Sequence, residues 1–387
     1  MSRLFESLST FNEDISEWKV GQVTDMYRMF LGASSFNQNL SKWDTSAVTT
    51  MKSMFHEASA FDGNISSWDT SAVTDMSFMF YGASSFNQED LTRWDTSAVT
   101  TMYSMFYRAS AFNGNISSWD TSAVTDMSWM FYGASSFNQQ DLSKWDTSAV
   151  TTMYTMFLKA LAFDGNISSW NTSVVTDMSF MFYGASSFNQ DISNWDTSAV
   201  TTTRSMFNGA LSFNQNLSQW NTSAVTTMKF MFYGASAFGG NISSWDTSAV
   251  TDMSFMFWGA SKFNQEDLSK WDTSAVTTMK YMFYQASAFN GNISSWTTSA
   301  VTDMSYMFQN ATSFNQNLCA WQDNFPYSNA TDIFVDSGCA YKVFKSFCTA
   351  FIQSIRTTES TAIKCHIGKS FCTAVIQSIL TAKFLSQ

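Results

Sequence analysis

The sequence predicts an α/β solenoid of about twelve coils, each a short strand, a turn and a short helix. Three observations carry this expectation. Tryptophan returns in phase thirteen times between Trp18 and Trp321, at intervals of 25 residues nine times and 26 residues three times. Around each one the chain reads F-N-x-x-[IL]-S-x-W-D-T-S-A-V-T-x-M-x-x-M-F-x-x-A-x-x-F. The composition is that of one motif copied many times. There are 37 Phe, 24 Met and 15 Trp against a single Pro, and charged residues reach only 13%, about half the usual share.

Within a unit the apolar spacing changes character. Met51, Met54, Phe55 and Ala58 fall at i, i+3, i+4 and i+7, the spacing of one face of a short helix. Thr49 and Thr50, or Thr74 and Asp75 in the next unit, precede it with oxygens suited to capping free N–H groups. Ile65 to Trp68 is short and β-compatible, and Asp69-Thr70-Ser71 reads as a turn. The 26-residue intervals place their extra residue between Phe and Leu, as in Phe86 to Leu91, which marks a loop. Stacking then buries both flat faces of every inner coil, and the Trp, Met and Phe columns become core ladders.

A second period lies on the first. V-T-D-M alternates with V-T-T-M through Asp25, Thr50, Asp75, Thr101, Asp126, Thr152, Asp177 and Thr202. The residue before Trp alternates as well, with Lys42, Arg93, Lys144 and Lys270 in one class and Ser67, Ser118, Ser169 and Ser244 in the other. The pattern breaks where Thr202 is followed by Thr227 and resumes at Asp252. The unit of duplication is therefore a pair of coils, and a surface patterned every second coil is expected.

A formal net charge of −11 argues against nucleic-acid binding, which needs a basic footprint. No run approaches ~18 consecutive apolar residues, so no transmembrane segment is expected. No secretory leader precedes the first repeat at Phe11, and the N-terminus is expected to be incomplete. The only histidines are His56 and His366, with no triad, zinc spacing or phosphate-cradling loop around them. Neither catalysis nor a cofactor nor a metal is expected.

The signature W-D-T-S-A-V-T-D-M-S-x-M-F-x-x-A-x-x-F-N-x-[DN]-[IL]-S-x-W strongly resembles the BspA-like surface-protein repeat, found in mycoplasma-type surface lipoproteins and in unicellular eukaryotes. The resemblance covers about residues 11–321. It implies a leucine-rich-repeat-like solenoid displayed outside the cell, with adhesion or host and matrix binding as the usual proposal, and it supplies no catalytic residues.

Polar columns between the core ladders are the candidate binding residues. After each Trp stands an Asp, as in Asp44, Asp69, Asp95, Asp120 and Asp146. A row of carboxylates could attract a cation, but an Asx-turn with the following Thr and Ser is the better account. Exposed tyrosines Tyr81, Tyr132 and Tyr183 complete the candidate ligand face. The Phe-Asn pairs suggest an Asn ladder that satisfies backbone groups. Glycosylation sequons at Asn39, Asn64, Asn115, Asn166, Asn241 and Asn292 arise from the N-I-S or N-L-S turn of the repeat. The Thr column (Thr45, Thr70, Thr96, Thr121, Thr147) raises an ice-binding face as a distant alternative.

Three regions are expected: a repeat solenoid at 1–321 without an N-terminal cap, a C-terminal cap at 322–341, and a basic tail at 342–387. Cys319 and Cys339 are placed to close the cap as a disulfide in an oxidising compartment. The tail carries six Lys or Arg against one Glu and a duplicated K-S-F-C-T-A motif. It reads equally as a membrane-surface or partner-binding tail and as a gene-model artefact. The expected function is non-enzymatic binding of a repetitive glycan or protein outside the cell, with a coat or fibre built by self-association as the alternative.

Overall fold

A computed structural model describes residues 1–338. They wind into a solenoid in which eleven parallel bridges run down one column, joining twelve coils from Asp25 to Asp303. The coils do not contain the expected helix or strand. Among the described residues there is no α-helix and no strand longer than an isolated bridge. Two short 3₁₀ segments, Cys319–Asn324 and Tyr327–Asn329, follow the last full coil.

The reason lies in where the amides go. In the coil that begins at Met26, the N–H groups of Met26, Arg28, Phe30 and Gly32 donate to the carbonyls of Thr50, Lys52, Met54 and His56 in the next coil, at 3.2, 3.1, 2.8 and 2.7 Å. The amides between them, on Met29, Leu31 and Ala33, close turns onto Met26, Arg28 and Phe30. A helix would direct all of these donors to carbonyls of its own coil and leave the neighbour unpaired. A chain of turns satisfies the same i, i+3, i+4 apolar spacing while it sends alternate amides outward along the stack.

The turns that produce this pattern place left-handed residues at fixed positions. Arg28 has φ +54° and Gly32 φ +69°, and each coil repeats these two left-handed positions. Phe78, Trp129 and Phe180 occupy the first of them, at φ +59°, +62° and +59°. Such residues each cost about 1–2 kcal/mol, which the inter-coil hydrogen bond and the packing offset. The segment expected to be a strand is also a turn, with the Trp68 amide donating to the Ile65 carbonyl at 3.2 Å.

Core side chains form ladders that run the length of the stack. Trp43 and Trp68 stack with centroids 6.3 Å apart and planes within 5°. Each Trp of the ladder from Trp43 to Trp296 donates its Nε1–H to the preceding coil, as Trp68 does to the Leu40 carbonyl at 3.0 Å. Phe55 lies 3.8 Å from Phe61 of its own coil and 5.7 Å from Phe80 of the next. The Thr after each Asp is buried, and Thr45 Oγ1 donates to the Asp69 carbonyl at 2.8 Å. The Asn ladder is present: Asn12 Oδ1 accepts the Asn37 amide, and Asn37 Oδ1 the Asp62 amide, both at 2.8 Å. The extra residue of the long intervals is itself paired, since Asp90, Asp141 and Asp267 bridge to Asn115, Asn166 and Asn292.

The two-coil period has a steric and electrostatic basis, beyond its history of duplication. In an Asp coil, Asp75 Oδ1 accepts the Ser77 amide at 2.8 Å, Ser77 is buried, and Phe78 stands half-exposed beside it. In a Thr coil the sizes are exchanged: Lys52 or Tyr103 is half-exposed while Ser53 or Ser104 is buried. Lysines of Thr coils then reach the aspartate of the following coil, at 3.3 Å for Lys52–Asp75, 3.4 Å for Lys229–Asp252 and 3.5 Å for Lys280–Asp303. One column over, the stems of Glu57, Arg108 and Lys159 lie against Gly82, Gly133 and Gly184 of the next coil. From Lys52 to Gly184 large residues thus alternate with small ones along both outer columns, whereas Gly184, Gly209, Gly234 and Gly259 follow one another past the break.

Beyond the last coil the ladder continues for part of a turn. The carbonyls of Asn329, Thr331, Ile333 and Val335 accept the amides of Met304, Tyr306, Phe308 and Asn310. Phe334 stacks on Phe308 at 5.6 Å. Cys339, and with it the proposed Cys319 pairing, lies outside the described residues, as does the whole of 342–387.

The break in the alternation also interrupts the Met column. Thr203 stands where other coils place Met; it is buried, and its Oγ1 has no hydrogen-bond partner. Replacing it restores the column between Met178 and Met228 and removes an unsatisfied hydroxyl. Thr203→Met should therefore stabilise the solenoid by about 1–2 kcal/mol, read as a higher midpoint in thermal or urea unfolding; an unchanged or lower midpoint would count against this packing.

Candidate functional site

The outward side chains fall into two sets that lie apart on the coil. The first is the Asp column. Asp69 Oδ1 accepts both the amide and the hydroxyl of Ser71, at 3.0 and 2.6 Å. Asp44, Asp95 and Asp120 make the same pair of bonds to Ser46, Ser97 and Ser122, and Asp146 accepts the Ser148 amide at 2.9 Å. The serine hydroxyl and then the serine amide hold the carboxyls of Asp44, Asp95 and Asp146 below the usual carboxylate range. Charge is not needed for the turn, because Asn171 and Asn221 stand in the same column and accept Ser173 and Ser223 amides at 3.0 and 3.1 Å. Among the described residues no group of three His, Cys, Asp or Glu side chains is gathered in a metal-holding arrangement.

Asparagines of the sequons are built the same way. Asn39, Asn64, Asn115, Asn166, Asn241 and Asn292 each accept the amide of the serine two residues on, at 3.0–3.1 Å. Asn39, Asn64 and Asn241 are exposed, whereas Asn115, Asn166 and Asn292 are half-buried and tied to the extra residue of the long intervals. The Thr column turns inward: Thr45, Thr70, Thr96, Thr121 and Thr147 are buried and donate to the next coil. Those hydroxyls are not available as the outward array that an ice-binding face requires.

The second set is aromatic. Tyr81, Tyr107 and Tyr132 form a stack, with centroids 4.2 and 4.5 Å apart and planes within 3° and 7°. Their faces are turned to one another, so edges and hydroxyls point outward. Burial and the hydrogen bond to Tyr81 push the Tyr107 phenol up to about 12. Tyr183 stands outside this stack, beside Phe180 at 6.1 Å. No hydrogen bond or ring contact joins the Asp column to the tyrosines among the described residues.

A neighbouring set of rings was not singled out from the sequence. Phe78 meets Tyr103 at 5.1 Å, and Trp129, Tyr154 and Phe180 follow at 5.6 and 5.8 Å, all crossed at 64° to 81°. Past the break the pattern changes, and Phe230, Phe255, Tyr281 and Tyr306 stack at 4.7, 4.8 and 4.6 Å. These residues fill the two variable positions of M-x-x-M-F. Their recurrence as large residues at that spot was the available signal, hidden by reading the segment as the outside of a helix. No helix among the described residues is long and apolar enough to cross a membrane.

The Asp column carries a pH prediction. The carboxyls of Asp44, Asp95, Asp146, Asp196 and Asp246 are lowered in the folded chain. Their stabilising contribution is complete above the unfolded value of 3.8 and is lost as the pH falls through the lower folded values. Changing all five to Asn should preserve the fold at neutral pH and make the loss of urea stability below pH ~4 shallower. An acid limb as steep as in the parent chain would show that these carboxylates do not govern it.

Comparison with known proteins places the sequence in a repeat family. The family model described as Mycoplasma protein of unknown function, DUF285, matches residues 1–90, 87–175, 139–243, 162–266 and 237–342. No curated protein matches. A solved structure described as the crystal structure of a TLR13-ssRNA13 complex is similar at 11% identity and a TM-score of 0.27, covering 74% of this chain and 44% of that chain, a likeness too distant to carry an argument. The chain thus spans less than half the length of that neighbour. Five overlapping matches cover most of the sequence, and the chain belongs to the DUF285 family of Mycoplasma proteins of unknown function.

Proposed function

We propose that this chain is a non-enzymatic binding protein of the cell surface or extracellular space, and that it engages a repetitive ligand along the length of its solenoid. The observation that carries the reading is the uniformity of the outer columns. Twelve coils present nearly the same polar and aromatic side chains at one interval, whereas a single catalytic centre needs a position unlike its neighbours. Many weak contacts at a fixed spacing suit a ligand that repeats, because each added contact acts at high effective concentration once the first is made. The resemblance of the W-D-T-S-A-V-T-D-M signature to BspA-like surface repeats supports the location and the adhesive role. Glycan and protein ligands both fit this reading, and the self-assembled coat or fibre is its alternative.

Coil number is the quantity to vary. Deleting residues 50–100 joins Thr49 to Thr101 and removes one coil pair in register. Under a repetitive-ligand reading, affinity for an immobilised glycan or matrix ligand falls at least severalfold with each pair removed. Affinity independent of coil number would contradict it, and a change confined to the length of ordered filaments would favour assembly instead.

A further inference from the structure

The cations of the aromatic face are not equivalent. Lys52, Lys229 and Lys280 are each matched by the aspartate of the next coil. Arg108, Lys159 and Arg204 are exposed and have no carboxylate within ion-pair distance among the described residues. Each has a structural reason for being free. In the coils of Thr101 and Thr152, tyrosines occupy the position that Lys52 fills, and the cation moves one column over, to Arg108 and Lys159. Arg204 does sit in the lysine position, but the broken alternation gives it Thr227 in the next coil where an aspartate would otherwise stand. The break thus leaves a cation unpaired as well as the Thr203 hydroxyl.

Along the stack their spacing is regular, with Arg204 on the lysine column beside that of Arg108 and Lys159. The coils of Thr101, Thr152 and Thr202 are two steps apart on the bridge column, an interval of about 10 Å at the usual strand spacing. Aromatic rings fill the intervals: Tyr107, Trp129, Tyr132, Tyr154 and Phe180 are all half-exposed. The Arg108 guanidinium lies over Tyr107 and Tyr132, 5.4 and 6.0 Å from their centroids, and that of Arg204 lies 5.7 Å from Phe180. A guanidinium backed by a ring is held in place with its N–H fork available to a carboxylate. The aspartates nearest this strip, Asp126 and Asp177, direct Oδ1 at the Ser128 and Ser179 amides, at 2.8 and 2.7 Å.

We propose that Arg108, Lys159 and Arg204, with the rings between them, bind one extended anionic polysaccharide that carries carboxylates at a regular interval. The proposal rests on the repetitive-ligand reading and names its ligand class and site. The cations take the carboxylates, and the crossed rings of Trp129, Tyr154 and Phe180 offer apolar surface to the sugar between them. A nucleic acid fits less well, since its dense phosphates call for many cations and the chain as a whole carries −11. An acidic protein surface would not repeat its carboxylates at every second coil.

The test uses the full chain and three probes: a hyaluronan oligosaccharide with one carboxylate per disaccharide, neutral dextran, and a single-stranded oligodeoxynucleotide. The parent chain should bind hyaluronan in preference to the other two, more weakly as salt rises. The variant R108Q/K159Q/R204Q should bind it about tenfold or more weakly, since three exposed charge contacts are lost. The control K42Q/K144Q/K270Q, on the column before Trp, should match the parent. All six positions lie on the surface, and equal thermal midpoints would confirm that the fold is kept. Equal hyaluronan binding by R108Q/K159Q/R204Q, preference for dextran or the oligonucleotide, or no hyaluronan binding at all would overturn the assignment. The broader reading would survive any of these if binding to another ligand still fell with coil number, and would fail with it if it did not.

Discussion

The structure depends on one constraint: every second amide of the M-x-x-M-F segment belongs to the neighbouring coil. Once Met26, Arg28, Phe30 and Gly32 donate to the next coil, left-handed residues interrupt the segment at Arg28 and Gly32 and it cannot be a helix. Left-handed Phe, Trp and Tyr residues follow from the same requirement, and so does the direction in which their rings leave the chain. A column of rings on the outside of the solenoid is thus a by-product of how its coils are joined.

Side-chain bonds reinforce the stack in both directions. The Trp residues from Trp43 to Trp296 reach back to the preceding coil, the Thr two residues after each of them reaches forward to the next, and the Asn ladder joins turns along one edge. Few polar groups of the interior therefore depend on water. Among the described residues four buried side-chain atoms lack a partner, Arg28 Nε, His56 Nδ1, Thr203 Oγ1 and Trp321 Nε1, and two of them are informative. Thr203 Oγ1 is orphaned at the coil where the pair pattern slips, and His56 Nδ1 is orphaned beneath its stack on Tyr81.

The solenoid, the coil boundaries, the core columns and the structural use of the Asx-turns were all legible in the sequence, because burial and turn chemistry leave a direct imprint on residue type. The helix was misread because apolar spacing reports which side chains face inward, and Met51, Met54, Phe55 and Ala58 do so equally in a chain of turns. Spacing is silent about the partner of each amide. The same limit hid the ring column, since Phe78 and Trp129 at a helix exterior would be scattered surface residues. It also hid the meaning of the pair period, in which Lys52 of one coil and Asp75 of the next are a contact. That pairing shows why the slip at Thr227 leaves Arg204 free.

The central claim concerns backbone hand, and backbone chemical shifts read it directly. Shifts of Cα, Cβ and carbonyl carbons across residues 76–83, 127–134 and 178–185 should place Phe78, Trp129 and Phe180 in the left-handed region, between neighbours of negative φ. An unbroken run of right-handed helical shifts through these segments would contradict the shared-amide ladder and the surface that follows from it.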